Sequence, residues 1–242
     1  MVAPFIASYF ALRFGNWKLV FLLFGLFSIF NAVWLHFTKV EESQSTERKA
    51  TFGSAFGLLN TPFILLMALG IFFVVAIDVG INSTSGQFLM EKLNIDPEPA
   101  KQGRSLYFFG KMLGTFVGAI LLTKLHSGKF LIYSSIATLI TILAFIFSPS
   151  SVFAFTLMFL IGFAASNIFP LIFVITVNRY PKRSNEISGL MIMAVSGGAF
   201  IPPLVGKISD ISNVTKGMYV FVGCAIYLLF VAAFSLRKIS NQ

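Results

Sequence analysis

The amino-acid sequence predicts an all-α transmembrane protein with seven full membrane spans, preceded by a partial helix at the N-terminus. Of its 242 residues, 57% are hydrophobic and only 11% are charged. Soluble globular domains carry about 25% charged residues, because water must solvate their surfaces. The sequence also contains seven long runs with almost no charge. Each run is near or above the roughly 18–20 residues that a helix needs to cross the hydrocarbon core.

Each of the seven runs predicts one membrane-spanning helix. The runs are Trp17–Phe37, Pro62–Phe88, Leu106–Thr123, Phe130–Phe147, Val152–Val177, Ile187–Val205 and Met218–Leu236. Helices are favoured over strands, because a transmembrane strand is only about ten residues long and alternates in polarity. Asp78 and Lys111 are the charged residues in the interior of these runs.

The N-terminal segment resembles the end of a helix whose beginning is missing. Met1–Leu12 is apolar but too short to span a membrane, and it lacks the basic region that opens a signal peptide. Arg13–Trp17 then leads directly into the first full span. These features predict an N-terminally truncated chain.

Basic residues predict the orientation of the spans. The net charge of +9 comes mainly from Lys and Arg between the apolar runs, which indicates membrane orientation and not nucleic-acid binding. More of these residues fall on the side of the Arg179–Arg183 loop and the C-terminus than on the side of the Asp96–Pro99 loop. We therefore expect a cytoplasmic C-terminus in a plasma membrane.

Asp78 is the sharpest candidate for a functional residue. A carboxylate within a span costs about 2.5–3.5 kcal/mol on insertion scales, so it usually faces a wet cavity or a partner. Asn82 follows one helical turn later on the same face, and Gln87 adds a further amide. Such donors and acceptors suit the hydroxyls of a sugar. The alternative is a structural carboxylate paired with another helix.

Lys111 lies about two turns into the third run. We expect its long side chain to reach the nearby membrane interface. The alternative is an ion pair with Asp78, which lowers the desolvation cost of both charges.

The fifth and sixth runs carry helix-breaking residues. Pro170 predicts a kink or break, and Asn167 just before it is a candidate cavity ligand or, alternatively, an inter-helix hydrogen-bonding group. In the sixth run, Gly197-Gly198 permits close helix contact and Pro202-Pro203 predicts a bend. Together they indicate a gating helix, with plain packing as the alternative.

Residues for covalent or metal chemistry are scarce. The single Cys224 excludes an intrachain disulfide, and His36 and His126 stand apart from other ligands. We predict no metal, no cofactor and no enzyme activity, since no zincin, Ser-His-Asp or paired-carboxylate pattern occurs.

Three segments resemble the fucose–galactose–glucose:proton symporter family of the major facilitator superfamily. They are NIFPLIF (Asn167–Phe173), NEISGLMIMAVSGGAFIPPLVG (Asn185–Gly206) and IDVGINS (Ile77–Ser83). Lys18–Leu35 is similar to the family's sixth helix and Val2–Trp17 to the end of its fifth. The family's eighth helix often shows Gly-Arg-Phe, where this chain has Gly114-Thr115-Phe116.

The resemblance implies two six-helix halves that bind sugar between them and rock to alternate access. Residues 1–37 then correspond to the end of helix five and helix six, 38–61 to the cytoplasmic loop between halves, and 62–242 to the C-terminal half. Sugar, protons, the bilayer and the missing N-terminal half are the implied partners, in a bacterial inner membrane. The family's principal proton-coupling carboxylates belong to that missing half.

A complete seven-helix receptor or photoreceptor is the competing hypothesis, because the span count agrees with it. Against it, Met218–Leu236 has no lysine for a retinal Schiff base.

Overall fold

A computed structural model describes residues 18–38 and 52–240, with side chains to residue 237. The predictions for Met1–Leu12 and for the polar segment Val40–Lys49 therefore lie outside the described residues. The chain divides into two compact units, Met1–Glu47 and Arg48–Gln242. The described helix of the first unit is α1, Leu19–Phe37.

The described part of the second unit is built from nine α-helices joined by short connections. They are α2 (Phe52–Gly57), α3 (Pro62–Leu93), α4 (Pro97–Leu122), α5 (Ser127–Ile146), α6 (Ser151–Ala165), α7 (Ile168–Arg179), α8 (Ser184–Met193), α9 (Gly197–Ile211) and α10 (Val214–Ser240). Three short 3₁₀ turns complete the path, at Leu58–Asn60, Pro181–Arg183 and Ala194–Ser196.

Seven helical stretches of the described residues are long and apolar enough to cross a membrane, which confirms the predicted all-α transmembrane fold. The fifth stretch joins α6 and α7, and the sixth joins α8 and α9. The sequence predicts a kink or break in the fifth span from Pro170. In the sixth span it predicts a bend at Pro202-Pro203, but the interruption lies earlier, at Ala194–Ser196, and the helix continues through both prolines. The other spans are single helices.

Helix α3 is the centre of the second unit. It packs against α4, α7, α9 and α10. Its residues Ile64, Met67, Ile71, Ile77 and Ile81 are fully buried in the core between these helices. The core therefore forms around α3, and any group on this helix is placed by its neighbours.

Glycines bring α4 and α6 into backbone contact. A Cβ atom on Gly110 would lie 2.0 Å from the Phe159 carbonyl oxygen, and one on Gly162 would lie 2.0 Å from the Tyr107 carbonyl oxygen. Close approach of this kind is the main source of helix association in lipid, where apolar burial contributes little. The contact fixes the position of the α4 segment that carries Tyr107 and Lys111.

The helix ends follow local sequence chemistry. Thr61 has an extended backbone and Pro62 is the first residue of α3, where its missing N–H costs nothing. Asn94 ends α3 in the left-handed conformation, with φ of 51°. The two prolines that follow Asn94 belong to the next helix: Pro97 is the first residue of α4 and Pro99 lies in its first turn, where proline is tolerated.

Residues 52–60 lie in the segment 38–61 that the resemblance assigns to the connection between halves. They form α2 and the following 3₁₀ turn, and α2 packs against α8. Leu58 is buried, and an Arg183 Nη2 atom donates to the Ser54 carbonyl oxygen at 3.1 Å. An apolar residue and a backbone acceptor thus hold this segment on the bundle.

Enlarging Gly162 should destabilise the bundle, because its Cβ meets backbone atoms that cannot rotate away. Overpacking a core typically costs about 1–3 kcal/mol, and we expect Gly162→Ala to lower the free energy of unfolding by at least this amount. Gly223 has open space around it, so Gly223→Ala is the matched control and should be neutral or stabilising. Thermal unfolding in detergent measures both; equal melting temperatures for the two variants would contradict the close-contact interpretation.

Candidate functional site

Asp78 lies in the middle of α3 and is paired through both carboxylate oxygens. Lys111 Nζ lies 2.6 Å from Oδ2, and the Tyr107 hydroxyl donates to Oδ1 at 2.5 Å. Tyr107 and Lys111 are one turn apart on α4, so they present to the same side of that helix. The two helices thus surround one carboxylate with two donors.

The Asp78–Lys111 contact distinguishes the two alternatives for Lys111, the membrane interface and an ion pair with Asp78. Its side chain is 34% exposed and that of Asp78 is 30% exposed, and the two groups form a salt bridge. A lone charge at this depth would carry its full desolvation cost, whereas the pair shares it. In the structure Lys111 therefore turns to Asp78.

A cavity of about 150 Å³ opens beside this pair. Its walls are Val74, Val75, Asp78, Lys111, Ala165, Ser166, Phe169 and Pro170. The volume is smaller than the roughly 300–1,000 Å³ of typical ligand pockets. The cavity is therefore too small by itself to enclose a typical ligand.

The break in the fifth span forms the far wall of the cavity. Helix α6 ends at Ala165 and α7 begins at Ile168, so the break lies three to four residues before Pro170 and not at the proline itself. The reason is that Pro170 has no N–H for the Ser166 carbonyl and its ring crowds that group. The Ser166 carbonyl thereby loses its helical donor, and Ser166 lines the cavity together with Asp78. The Asn167 carbonyl still accepts from the Leu171 N–H at 3.0 Å.

Asn167 connects this break to α4. It is 6% exposed, and its Nδ2 donates to the Gly114 carbonyl oxygen and to Ser166 Oγ, both at 2.8 Å. Gly118 makes room for it, because a Cβ atom there would lie 2.1 Å from Nδ2. The sequence allowed Asn167 to be a cavity ligand or an inter-helix hydrogen-bonding group. In the structure it forms the inter-helix hydrogen bond, and it lies next to Ser166 in the cavity wall.

Asn82 and Gln87 lie further along α3. The Asn82 side-chain nitrogen donates to the Asp78 carbonyl oxygen at 2.7 Å, while its Oδ1 is buried and has no partner among the described residues. Gln87 is exposed and donates to Glu91 Oε1 at 2.7 Å. Nine residues separate Gln87 from Asp78, about 13 Å along a helix. The structure therefore does not bring Gln87 to the cavity.

The predicted gating residues lie where the sixth span meets α3. A Cβ atom on Gly197 would lie 1.9 Å from the Phe72 carbonyl oxygen, and one on Gly198 would lie 2.8 Å from Val79 Cγ2. Pro202 and Pro203 stand inside α9, which continues to Ile211. They leave the carbonyls of residues 198 and 199 without their helical donors.

Tyr107 is the site residue that sequence reasoning missed. It is fully buried, and its hydroxyl completes the coordination of Asp78. Arg104, Tyr107 and Lys111 are spaced three and four residues apart, so they follow one face of α4. That polar spacing is the signal that marks Tyr107 in a run otherwise rich in phenylalanine.

Comparison with known proteins decides the family. The sequence profile of the Major Facilitator Superfamily matches residues 1–201 and, in a second register, residues 67–241. The chain belongs to the Major Facilitator Superfamily. A putative glucose/galactose transporter of Helicobacter pylori is 27% identical over 93% of this chain and 56% of its own length. A glucose/galactose transporter of Brucella abortus is 24% identical over 69% of this chain and 41% of its own.

A solved structure shows the same fold. FucP, a Major Facilitator Superfamily transporter crystallised in the outward conformation, superposes with a TM-score of 0.79 at 17% identity. The superposition covers 90% of this chain and 54% of FucP. The chain thus spans about half the length of the relatives that it matches.

These findings settle the class of protein. The predicted resemblance is confirmed, since the relatives are named for glucose and galactose, and a second FucP structure is described as a fucose:proton symporter. Membership of this transporter superfamily supports the prediction that the protein is not an enzyme. It also overturns the competing hypothesis of a receptor or photoreceptor.

Removing one member of the central pair should destabilise the protein more than removing both. Asp78→Asn leaves Lys111 without its counter-charge, and we expect a loss of about 1–3 kcal/mol in the free energy of unfolding. A fully buried pair would cost about 3–5 kcal/mol, and partial exposure reduces this. The double change Asp78→Asn with Lys111→Gln should recover at least half of the loss.

The exposed pair of Glu98 and Lys101 supplies the control for this measurement. Their side chains are 83% and 70% exposed, so Glu98→Gln should change stability by less than about 0.5 kcal/mol. Unfolding in detergent of the three variants and the parent gives the comparison. A double variant no more stable than Asp78→Asn alone would show that the charges do not compensate each other.

Proposed function

We propose that this chain forms the C-terminal part of a secondary transporter that carries a glucose-, galactose- or fucose-type sugar together with protons. The observation that supports it most directly is the Asp78–Lys111 pair on the wall of an open cavity at a broken helix. Ionisable residues within membrane spans are costly and usually mark functional sites, and a broken span beside them is typical of substrate sites. The named relatives suggest the sugar class.

The pair supplies the two kinds of group that a sugar hydroxyl needs. Asp78 accepts hydrogen bonds and Lys111 donates them, so a bound hydroxyl exchanges bonds with both. Asn82 lies one turn along the same helix, but its Oδ1 is buried and Asn82 does not line the cavity, so a bound sugar reaches it only if the bundle moves. Phe169 lines the cavity and offers an aromatic face to the apolar side of a sugar ring. Asn167 contributes by holding the break against α4, whereas Gln87, which lies outside the cavity, is left out of the proposed set.

Movement of the bundle is proposed to occur at the broken spans. Gly197 and Gly198 let α9 lie directly on α3, close to Asp78. Pro202, Pro203 and the 3₁₀ turn Ala194–Ser196 interrupt the backbone hydrogen bonds of this span, so it bends at low cost. Pro170 plays the same part in the fifth span. Alternating access then changes the width of the cavity beside the ion pair.

The cavity wall implies a partner. We propose that residues 62–242 act as one half of the transporter, with residues 1–37 as the preceding helices and 38–61 as the connection between halves. The partner is the other half, which carries the main proton-coupling carboxylates by family resemblance. Asp78 then adjusts sugar affinity and coupling, with no part as the principal proton carrier.

The orientation is proposed from the charge bias, with the Arg179–Arg183 loop and the C-terminus in the cytoplasm of a bacterial cell. The test uses Cys224→Ala as background, because Cys224 is the sole cysteine. An impermeant maleimide added to intact cells should label Glu98→Cys and not Lys182→Cys, both at exposed positions. Permeabilised cells should show both labels. The opposite pattern in intact cells would reverse the orientation.

Uptake of radiolabelled glucose, galactose and fucose in vesicles tests the function. We expect proton-driven uptake when the chain is co-expressed with the N-terminal half of the Helicobacter pylori relative, and none with the chain alone. In the paired sample Asp78→Asn should reduce uptake at least about tenfold, equivalent to about 1.4 kcal/mol. Glu98→Gln should leave it unchanged.

Each result of the uptake experiment has a definite meaning. Strong uptake by the chain alone would contradict the two-part architecture. Absence of uptake of all three sugars in the paired sample, with uptake by the complete Helicobacter pylori relative as control, would contradict the sugar class. Normal uptake by Asp78→Asn would remove Asp78 from the site.

A further inference from the structure

The two donors on Asp78 differ in their access to the cavity beside it. Lys111 lines the cavity, and its side chain is 34% exposed. Tyr107 does not line the cavity and is fully buried. The Oδ2 atom of Asp78 therefore meets a donor that a ligand in the cavity can reach, and Oδ1 meets a donor that it cannot reach.

The hydrogen bond from Tyr107 is costly to break. The helical turn that carries Tyr107 is fixed, because its carbonyl oxygen lies against Gly162 in the backbone contact between α4 and α6. A tyrosine side chain has only two rotatable χ angles, so its hydroxyl has few other positions to take. If the bond to Asp78 broke, the buried hydroxyl would lose its acceptor with no water to replace it.

The contact from Lys111 is easier to exchange. Its ammonium group is carried on a flexible four-carbon stem, and its exposed share lets a molecule in the cavity replace the carboxylate as acceptor. A hydroxyl can enter between the two charges, donating to Oδ2 and accepting from Nζ. Two such bonds of about 2.8 Å span about 4.6 Å, so Nζ has to withdraw by about 2 Å.

The charges on either side of this gap select the group that fills it. A ligand carboxylate would meet the negative charge of Asp78, and a ligand ammonium would meet the positive charge of Lys111. A neutral hydroxyl both donates and accepts, so it satisfies the two charges at once.

We infer that Tyr107 is the positioning residue of this site, which holds Oδ1 of Asp78 so that Oδ2 stays turned to the cavity, and that a bound hydroxyl displaces Lys111 alone. Asp78 then keeps one hydrogen bond through the whole binding step. The part of this inference that concerns a bound hydroxyl rests on the proposed function. The difference between the two donors is a property of the protein without ligand.

Chemical labelling of the purified 242-residue chain in detergent, without sugar, tests the difference between the donors. Reductive methylation reports on Lys111 and N-acetylimidazole on Tyr107, each read by peptide mass spectrometry relative to the same protein in denaturing detergent. We expect Lys111 to be modified to the greater extent. Exposed Lys216 and Tyr133 are the reagent controls. Equal protection of Lys111 and Tyr107, or greater protection of Lys111, would overturn the inference.

Uptake kinetics in the paired sample test the positioning role. Tyr107→Phe keeps the ring and removes the hydroxyl, so the KM for sugar should rise at least about tenfold, equivalent to about 1.4 kcal/mol. The maximal rate per folded protein should change much less. Tyr227→Phe is the matched control, because its hydroxyl donates to the Leu66 carbonyl oxygen at 3.2 Å on the same helix α3, about 18 Å from Asp78.

The results separate this inference from the proposed function. An unchanged KM in Tyr107→Phe, or equal rises in Tyr107→Phe and Tyr227→Phe, would remove the positioning role while sugar uptake by the parent still supports the transporter. No uptake by the parent would contradict the transporter, and labelling of the free chain would still decide between the two donors. The labelling needs no substitution, so it also decides where Tyr107→Phe fails to fold.

Discussion

A carboxylate in the middle of a membrane-spanning helix must be paired, and the arrangement around α3 depends on how Asp78 meets this requirement. Its two donors both come from α4, at 2.5 and 2.6 Å. Helix α4 can deliver them because Gly110 and Gly162 let it lie in backbone contact with α6. The broken fifth span then lies beside the pair and leaves a cavity against it. Packing, charge and the candidate site are thus parts of one arrangement.

The spans were predictable from the sequence because length and apolarity alone decide whether a helix crosses a bilayer. The broken fifth span was predictable as well, since a proline in a helix removes a donor whatever its surroundings. Its position was not, because the structure places the strain on the preceding turn, at residues 166–167. Helix α2, within the segment 38–61, was not predictable for a related reason, since it depends on contacts with α8 that are distant in sequence.

The site was harder to predict, because it depends on which helix faces which. Lys111 has a side chain long enough for the membrane interface or for Asp78, and only the approach of α4 to α3 decides between them. Asn167 offered two partners, and the close approach of Gly118 selects α4. Tyr107 lies among the 30 phenylalanines of an aromatic-rich chain, where one hydroxyl is easily overlooked. Pairwise distances between helices carry this information, and a single sequence does not.

The glycine contact between α4 and α6 also limits how the bundle can deform. Two helices in backbone contact cannot slide past one another without first separating. We therefore treat α4 and α6 as one rigid pair. The Asp78 carboxylate is on α3, outside this pair, whereas its two donors, Tyr107 and Lys111, are both on α4. A relative movement of the two backbones that separates Asp78 from Lys111 therefore occurs between α3 and the α4–α6 pair. Lys111 and Tyr107 thus join α3 to this helix pair through a single carboxylate.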